Sequence, residues 1–273
     1  MLNLRKRRLG RTGLMVTELG MGAMDTPQVP EGEETLNLAI DAGINFIDTA
    51  RIYQGSEYLI GQVIRARGRK EFHIGSKTIY RDMHGSQYDV ERSLGVLGVQ
   101  QIDLYQLHDV STPIAWEKVM SVEGALSGLK IAQKRGLIKY IGISCHNLEV
   151  LENAIESGEF DTVMLEYSAF YSETERLIRM AKERDLGIIV MRPLGGSGRT
   201  SSIRTEMQNQ EHQVFLTPEM LLRYVFSNPD ISVAIPGVRY PSRISENVQV
   251  ADGYAPLSSS ERQQCETEAN RLF

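Results

Sequence analysis

Eight short apolar segments recur along the chain, and each is followed by a polar stretch and then by a segment with apolar residues at helical spacing. The apolar segments are residues 18–22, 44–48, 72–77, 102–108, 140–144, 162–167, 187–191 and 232–236. Nearly continuous apolar runs of this length are typical of strands buried on both faces, as in a parallel sheet. Eight such units predict an α/β fold, a (β/α)₈ TIM barrel formed as one domain over residues 1–273. A doubly wound open sheet is the alternative.

The segments between the strands carry the usual start and stop signals of helices. Glycines placed as C-terminal caps end several of them, as at Gly43 and Gly158. Thr217 is placed as an N-cap before Pro218, and Ser258 with Glu261 has the spacing of a capping box. The predicted helices are 33–43, 56–65, 88–98, 123–136, 147–158, 173–185, 217–229, 241–250 and a C-terminal helix over 258–273.

Three segments fall outside this repeat. Residues 6–16 have turn glycines and predict an N-terminal β-hairpin that plugs the bottom of the barrel. Residues 195–216 are polar without a regular pattern, which predicts a long loop, either a functional lid or a disordered segment. Residues 109–120 are interpreted as a loop of moderate length after the fourth strand.

Charge and cysteine content exclude several classes of protein. Thirty Lys and Arg against thirty-five Asp and Glu give a net charge of −5, which disfavours a nucleic-acid binder. The basic run Arg5–Arg8 is interpreted as a solvated edge of the hairpin. Two cysteines cannot form a secreted disulfide framework. No signal-peptide core is seen, and the longest apolar stretch, near 186–191, is too short to cross a bilayer. We therefore expect a cytoplasmic protein without a membrane partner.

Polar residues stand at the ends of three consecutive predicted strands. Asp48 ends the second strand and is followed by Tyr53, Lys77 ends the third, and His108 ends the fourth. Active sites of (β/α)₈ barrels lie at the carboxyl ends of the strands. These four side chains are therefore expected to face the barrel mouth together as catalytic residues.

The four residue types suit proton transfer. Tyrosine has a pKa of about 10, which a nearby ammonium group lowers. A buried lysine tends to lose its proton, and a neighbouring carboxylate retains the charge. Asp48, Lys77 and Tyr53 are therefore predicted to form a relay with Tyr53 as proton donor, while His108 orients a substrate carbonyl. The alternatives are an ion pair that only closes the mouth, a core histidine and a surface tyrosine.

The motifs around these residues resemble those of the aldo-keto reductase family over essentially the whole chain. They are FIDTARIYQGSE at 46–57, GSKT at 75–78, DLYQLHD at 103–109 and RRLGRTGLMVTELGMG at 7–22. The resemblance implies an NAD(P)H-dependent carbonyl reductase, reversible, in which a reduced nicotinamide delivers hydride to an aldehyde or ketone. Tyr53 would then protonate the developing alkoxide, and no metal is required.

No GxGxxG follows the first strand, so the sequence does not indicate a Rossmann site. The resemblance implies instead that the dinucleotide binds across the barrel top. NADPH is expected, with NADH possible. Ser144 would bind the carboxamide, 191–196 would follow the ribose and pyrophosphate, and Arg243 would face the 2′-phosphate. The residues that the resemblance assigns to the cofactor are Gly22, Asp48, Ser144, Met191, Arg192, Pro193, Leu194, Gly195, Gly237, Val238, Arg239, Arg243, Glu246 and Asn247, the last two facing the adenine. The segment 195–216 is expected to close over the dinucleotide.

Several positions depart from the family pattern. Met191 replaces an aromatic residue, and Cys145 and Met164 stand where amide side chains are common. Gly237 and Val238 replace a Lys-Ser pair, for which Arg239 is a candidate replacement cation. Met24, Tyr80, Trp116 and His146 are candidates for the substrate pocket, or else for local packing.

Two other functions remain open from the residues. In the first, the protein is an aldolase-type barrel enzyme in which Lys77 is a Schiff-base nucleophile. In the second, the chain is a regulatory subunit that binds the cofactor and has little turnover. The expected partner in each catalytic case is a small-molecule carbonyl or alcohol.

Overall fold

The chain begins with the predicted antiparallel hairpin. In the computed structural model, which describes residues 2–69, 72–208 and 214–272, β1 spans Lys6–Arg8 and pairs with β2 at Met15–Thr17. Gly13 closes the turn in the left-handed conformation, with φ of 71°. Leu9 is fully buried and packs with residues of the barrel interior, so the hairpin closes the bottom of the barrel as predicted.

Eight parallel strands form the barrel in sequence order. They are β3 Met21–Gly22, β4 Phe46–Asp48, β5 His73–Thr78, β6 Ile102–Leu107, β7 Ile138–Ser144, β8 Thr162–Glu166, β9 Gly187–Met191 and β10 Val233–Ile235. Backbone hydrogen bonds from Gly20 to Ala234 (2.8 Å) and from Gly22 to Pro236 (2.9 Å) join the first strand to the last. The predicted (β/α)₈ architecture is confirmed.

Helices surround the barrel. They are α1 Gly32–Asp41, α2 Ser56–Arg67, α3 Met83–Leu97, α4 Pro113–Met120, α5 Ala125–Lys134, α6 Leu148–Ser157, α7 Glu175–Glu183, α8 Ser197–Gln208, α9 Pro218–Phe226, α10 Pro241–Ala251 and α11 Ser259–Leu272. The predicted caps are confirmed: Thr217 accepts a bond from the Met220 amide (3.2 Å), and Glu261 accepts one from the Ser258 amide (2.7 Å). No helix in the described part of the chain is both long and apolar enough to cross a membrane.

Two predicted loops are helical instead. The segment 195–216 contains α8, and its residues 209–213 lie outside the described residues. Its sequence lacks an apolar face, and Ile203 is a buried contact to the core, so tertiary contacts rather than periodicity define this helix. Within 109–120, α4 begins after Thr112, whose hydroxyl accepts a bond from the Ala115 amide (3.1 Å).

The basic run at the hairpin is only partly a solvated edge. Arg7 turns inward, where its guanidinium binds Glu18 (2.6 Å) and the backbone carbonyls of Phe226, Asn228 and Ile231. The prediction is therefore wrong for Arg7, because carbonyls at the bottom of the barrel need a donor that water does not supply there.

Strand alternation separates an apolar floor from a polar mouth inside the barrel. Phe46, Leu104 and Ile189 pack with Leu9 toward the bottom. Asp48 stands two residues after Phe46 and Gln106 two residues after Leu104, and both are polar and buried. The polar side chains of the barrel thus collect at the carboxyl ends of the strands.

Candidate active site

Asp48 and Lys77 form a buried ion pair at the ends of β4 and β5. Lys77 is 1% exposed, and its Nζ lies 2.5 Å from Asp48 Oδ1 and 2.8 Å from the Thr49 carbonyl. Gln106, two residues before His108 in the chain, donates to the other Asp48 oxygen at 3.2 Å. Both carboxylate oxygens are thereby engaged, which defines the orientation of the Asp48 side chain.

Tyr53 and His108 meet above this pair. The Tyr53 hydroxyl lies 3.3 Å from His108 Nε2, and the two rings pack edge to face with centroids 5.4 Å apart. Lys77 Nζ lies 4.8 Å from the centre of the Tyr53 ring. The structure therefore brings together all four residues that the strand ends predicted.

Burial dominates the electrostatics of these groups. Desolvation raises the pKa of Tyr53 above its ordinary value, and the positive charge of Lys77 offsets only part of that rise. Lys77 thus lowers the pKa of Tyr53 as expected, but burial, which the prediction from the sequence did not weigh, has the larger effect. Burial, followed by the Lys77 charge, lowers the pKa of His108 to about 3. Burial also raises the pKa of Asp48, against the opposing effects of Lys77 and Gln106. Near neutral pH, Tyr53 keeps its proton and His108 is uncharged.

A second polar network supports the loop that carries Tyr53. Arg51 binds the carboxylate of Glu57, whose other oxygen accepts a bond from Ser76 (2.6 Å). Arg51 Nε also lies 3.6 Å from Asp89 on α3. Because Glu57 and Asp89 are buried, these contacts tie the loop between β4 and α2 to the neighbouring strand and helix.

The ends of β7 and β9 place the first group of cofactor candidates. Ser144 Oγ accepts a bond from the Asp109 amide (2.8 Å), and Met191 is half-buried at the barrel rim. Arg192 is in the left-handed region with φ of 51° and donates to Glu166 (2.7 Å). A backbone bond from Gly195 to Arg192 (2.8 Å) closes a turn around buried Pro193 and half-buried Leu194.

The second group of cofactor candidates follows β10. Gly22 and Gly237 pair across the barrel closure, while the Val238 side chain is buried and its carbonyl accepts a bond from Thr26. Arg239 donates to Asp25 (3.0 Å). On α10, Arg243 donates to Glu246 (2.5 Å), and Asn247 is buried. The structure therefore gives Arg239 and Arg243 different carboxylate partners.

The phosphate end of this region suits an anionic dinucleotide. Tyr240 precedes α10 without a side-chain cap. Pro241 has no N–H and the Arg243 amide donates to the Tyr240 carbonyl (3.0 Å), which leaves the Ser242 amide as the first-turn donor that an anion can meet. A Cβ added to Gly237 would meet no atom within 4 Å, so the backbone there is open to a ligand. Arg239 and Arg243 add positive charge beside these groups.

The amide replacements do not supply equivalent donors. Cys145 is buried, with its Sγ 3.1 Å from the Asn147 carbonyl, and Met164 is buried in the barrel interior. Of the three side chains Ser144, Cys145 and Met164, Ser144 alone has a hydroxyl that can bond to a carboxamide at the end of β7.

Three of the substrate-pocket candidates lie on loops after barrel strands, and the fourth packs against the protein core. Met24 and Tyr80 are 47% and 45% exposed on the loops after β3 and β5. His146 Nδ1 lies 2.6 Å from Glu166, the residue that also binds Arg192. Trp116 instead packs on Phe160, with ring centroids 6.3 Å apart, as in the local-packing alternative.

Sequence reasoning missed three polar residues of this region: Gln106, Glu166 and Arg204 of α8, which donates to Glu246 (2.7 Å). Strand alternation could have identified Gln106 and Glu166, because each stands two residues from an inward-facing position. Arg204 had no such signal, since its helix was not predicted.

Comparisons with known proteins agree on one family. The model of the Aldo/keto reductase family matches residues 18–215. An uncharacterized oxidoreductase of Bacillus subtilis (strain 168), YqkF, is 24% identical over 91% of this chain and 92% of its own. A probable aldo-keto reductase 1 of Glycine max is 28% identical over 76% of this chain and 66% of its own.

Solved structures show the same architecture. The holo form of an aldo-keto reductase from Bacillus halodurans superposes with a TM-score of 0.81 at 22% identity, covering 97% of this chain and 96% of that one. A putative aldo-keto reductase from Pseudomonas aeruginosa gives a TM-score of 0.74 at 29% identity, covering 90% and 94%.

Proposed function

This chain belongs to the aldo/keto reductase family, and from that premise we propose that it is an NAD(P)H-dependent carbonyl reductase with Tyr53 as proton donor. Membership makes the protein an oxidoreductase of a family that uses nicotinamide cofactors. The observation that carries the proposal is the Tyr53 hydroxyl 3.3 Å from His108 Nε2, above the buried pair of Lys77 and Asp48. The substrate class is aldehydes and ketones, or alcohols in the reverse direction.

Proton donation follows from the charges around Tyr53. When bound, the nicotinamide supplies the hydride. Tyr53 holds its proton near neutral pH because burial raises its pKa, and it releases the proton only to a stronger base such as an alkoxide. Lys77, with Nζ 4.8 Å from the ring centre, stabilises the negative charge that then develops on the phenol oxygen.

His108 orients the substrate oxygen. Its Nε2 is beside the Tyr53 hydroxyl, and the ring is neutral because its pKa falls to about 3. A neutral imidazole binds a carbonyl oxygen through one N–H without competing as an acid. Asp48 positions Lys77 through their direct contact, and Gln106 orients Asp48 by donating to its other carboxylate oxygen.

The proposed cofactor is NADPH, with NADH as the alternative. The uncapped start of α10 and the arginines Arg239 and Arg243 support a phosphate site. Ser144 would bind the carboxamide, and residues 191–195 would follow the ribose and pyrophosphate. Gly22 and Gly237 would offer bare backbone at the closure of the barrel, beside Val238, and Glu246 with Asn247 would face the adenine.

Replacing Tyr53 by phenylalanine tests the proton donor. We expect Tyr53→Phe to lower kcat for carbonyl reduction by about 10²- to 10⁴-fold, the scale of general acid catalysis. The dissociation constant for NADPH should remain near the wild-type value, because the ring is retained. Tyr58→Phe, at a tyrosine of α2 that is 58% exposed, is the matched control and should leave both quantities unchanged. Unchanged turnover in Tyr53→Phe would remove Tyr53 from the mechanism.

The two other functions find less support. Lys77 Nζ is engaged by Asp48 and by the Thr49 carbonyl, and attack on a carbonyl would require breaking both contacts. We therefore expect no adduct at Lys77 when the protein is treated with borohydride and an aldehyde. A regulatory subunit without turnover would not require the complete proton-transfer group.

A further inference from the structure

Helix α8 brings a cation to the start of α10. Arg204 Nη2 donates to one oxygen of Glu246 at 2.7 Å, while Arg243 Nη1 donates to the other oxygen at 2.5 Å. The Arg204 side chain is 24% exposed, compared with 39% for Arg243. Two guanidinium groups from different helices therefore converge on a single carboxylate.

Two of the three converging groups, Arg204 and Glu246, line an open space. A cavity of about 660 Å³ lies among α8, α9 and α10, and Arg204, Glu246 and Asn247 are among the residues that line it. Arg239 is engaged elsewhere, by Asp25 of the connection after β3. Arg204, and not Arg239, thus shares a partner with Arg243.

We propose that Arg204 is a specificity-determining residue that binds the 2′-phosphate of NADPH together with Arg243. The inference rests on the proposed function and goes beyond it, because it assigns selectivity for the phosphorylated cofactor to α8. The Glu246 carboxylate occupies the position of an anion between the two guanidinium groups, so the site is formed before a ligand arrives.

A phosphate replaces this carboxylate with a gain in contacts. It offers three acceptor oxygens and a larger charge, and the planar fork of each arginine matches pairs of such oxygens. Glu246 is then released to accept a bond from an exocyclic amino group. NADH carries no 2′-phosphate, so Arg204 and Arg243 keep Glu246 as their partner when NADH binds. Loss of Arg204 should therefore weaken NADPH and leave NADH unaffected.

Equilibrium binding to the whole protein tests the assignment. The dissociation constants of NADPH, NADH, 2′,5′-ADP and 5′-AMP are measured by fluorescence or calorimetric titration for wild type, Arg204→Gln and Arg204→Lys. We expect Arg204→Gln to weaken NADPH and 2′,5′-ADP about 10-fold or more, the scale of one charge-assisted hydrogen bond, with NADH and 5′-AMP unchanged. Arg204→Lys should retain part of the affinity.

The control removes the same charge far from the site. Arg65→Gln, in the last turn of α2 and hence at the opposite end of the barrel, should leave all four constants unchanged. Equal weakening of NADPH and NADH in Arg204→Gln would show that Arg204 only holds α8 in place, and unchanged NADPH binding would also overturn the proposal. A wild-type protein that binds neither dinucleotide would instead refute the proposed function, and the inference with it.

Discussion

At Tyr53, burial and charge act in opposite directions on the same hydroxyl. Burial raises the pKa, Lys77 lowers it, and the negative charge of Asp48 raises it again. A sequence shows which charged groups are near, but the depth of the ring below the protein surface decides which effect is larger. The residues of the site could therefore be predicted, whereas the sign of the shift required the three-dimensional structure.

The Asp48 contribution gives a pH dependence with a definite direction. Asp48→Asn leaves Lys77 buried without its carboxylate, so the lysine tends to lose its proton and the positive charge that favours the phenolate is lost. Because the effect of Lys77 on Tyr53 is larger than that of Asp48, the pKa of Tyr53 should rise. In the proposed mechanism reduction needs the protonated phenol, so its rate declines as pH rises through this pKa. The alkaline limb of the kcat profile should consequently move to higher pH in Asp48→Asn. Steady-state reduction at saturating cofactor, recorded across pH, measures the position of the limb.

The same profile for an unrelated aspartate completes that experiment. Asp41→Asn, on α1 with a side chain 60% exposed, removes an equal charge at the surface and should leave the limb in place. An alkaline limb that stays fixed or moves to lower pH in Asp48→Asn would contradict the electrostatic role.

At the scale of elements, helices with an apolar stripe were predictable and α8 was not. For α9, the sequence Thr217-Pro218 marks the start and apolar residues define one face. Thr112-Pro113 marks α4 in the same way, and that signal was overlooked. Helix α8 is largely polar and depends on distant partners, with Arg199 bound to Tyr171 (2.6 Å) and Arg204 bound to Glu246. Local sequence holds no record of such contacts.

The N-terminal hairpin should contribute measurably to stability. Leu9 fills the bottom of the barrel, so Leu9→Ala is expected to lower the free energy of unfolding by about 2–5 kcal/mol through lost burial and a cavity. Met15→Ala, on the same hairpin at a side chain 48% exposed, should change it by less than about 0.5 kcal/mol. Urea denaturation followed by circular dichroism measures both; equal small effects would mean that the hairpin does not seal the barrel.

For the molecule as a whole, the buried histidine makes folding sensitive to acid. The pKa of His108 is about 3 in the folded chain and about 6.5 when unfolded, so between these values only the unfolded state binds the proton. The free energy of unfolding should therefore fall as pH drops from about 6.5 toward 3. His108→Gln should remove this contribution and flatten the dependence over that window.

The difference between two unfolding series isolates the histidine. Carboxylates such as Asp103, whose pKa is lowered by its partners, also lose stabilisation in acid, but they do so equally in wild type and variant. His84→Gln, at an exposed histidine of α3, is the control and should retain the wild-type slope. A His108→Gln slope identical to wild type would exclude the buried imidazole as its source.

The order of strands around the barrel was the most predictable property of the molecule. Apolar runs buried on both faces mark each strand, and consecutive parallel strands leave few ways to connect. The proximity of the four candidate catalytic residues was predictable because strand ends share one edge of the barrel. Arg204 and Arg243 lie on helices and meet through packing that no single segment encodes.

The bonds that join Gly20 and Gly22 to residues 234 and 236 can form only after the last strand has been synthesised, so the barrel closes late. Asp48, Tyr53, Lys77 and His108 leave the ribosome well before β10, the strand that completes the ring. A nascent chain of that length thus carries all four candidate catalytic residues on an open sheet, before the barrel mouth exists. We expect a chain that is truncated shortly before Val233 to retain these four residues and yet fail to bind NADPH.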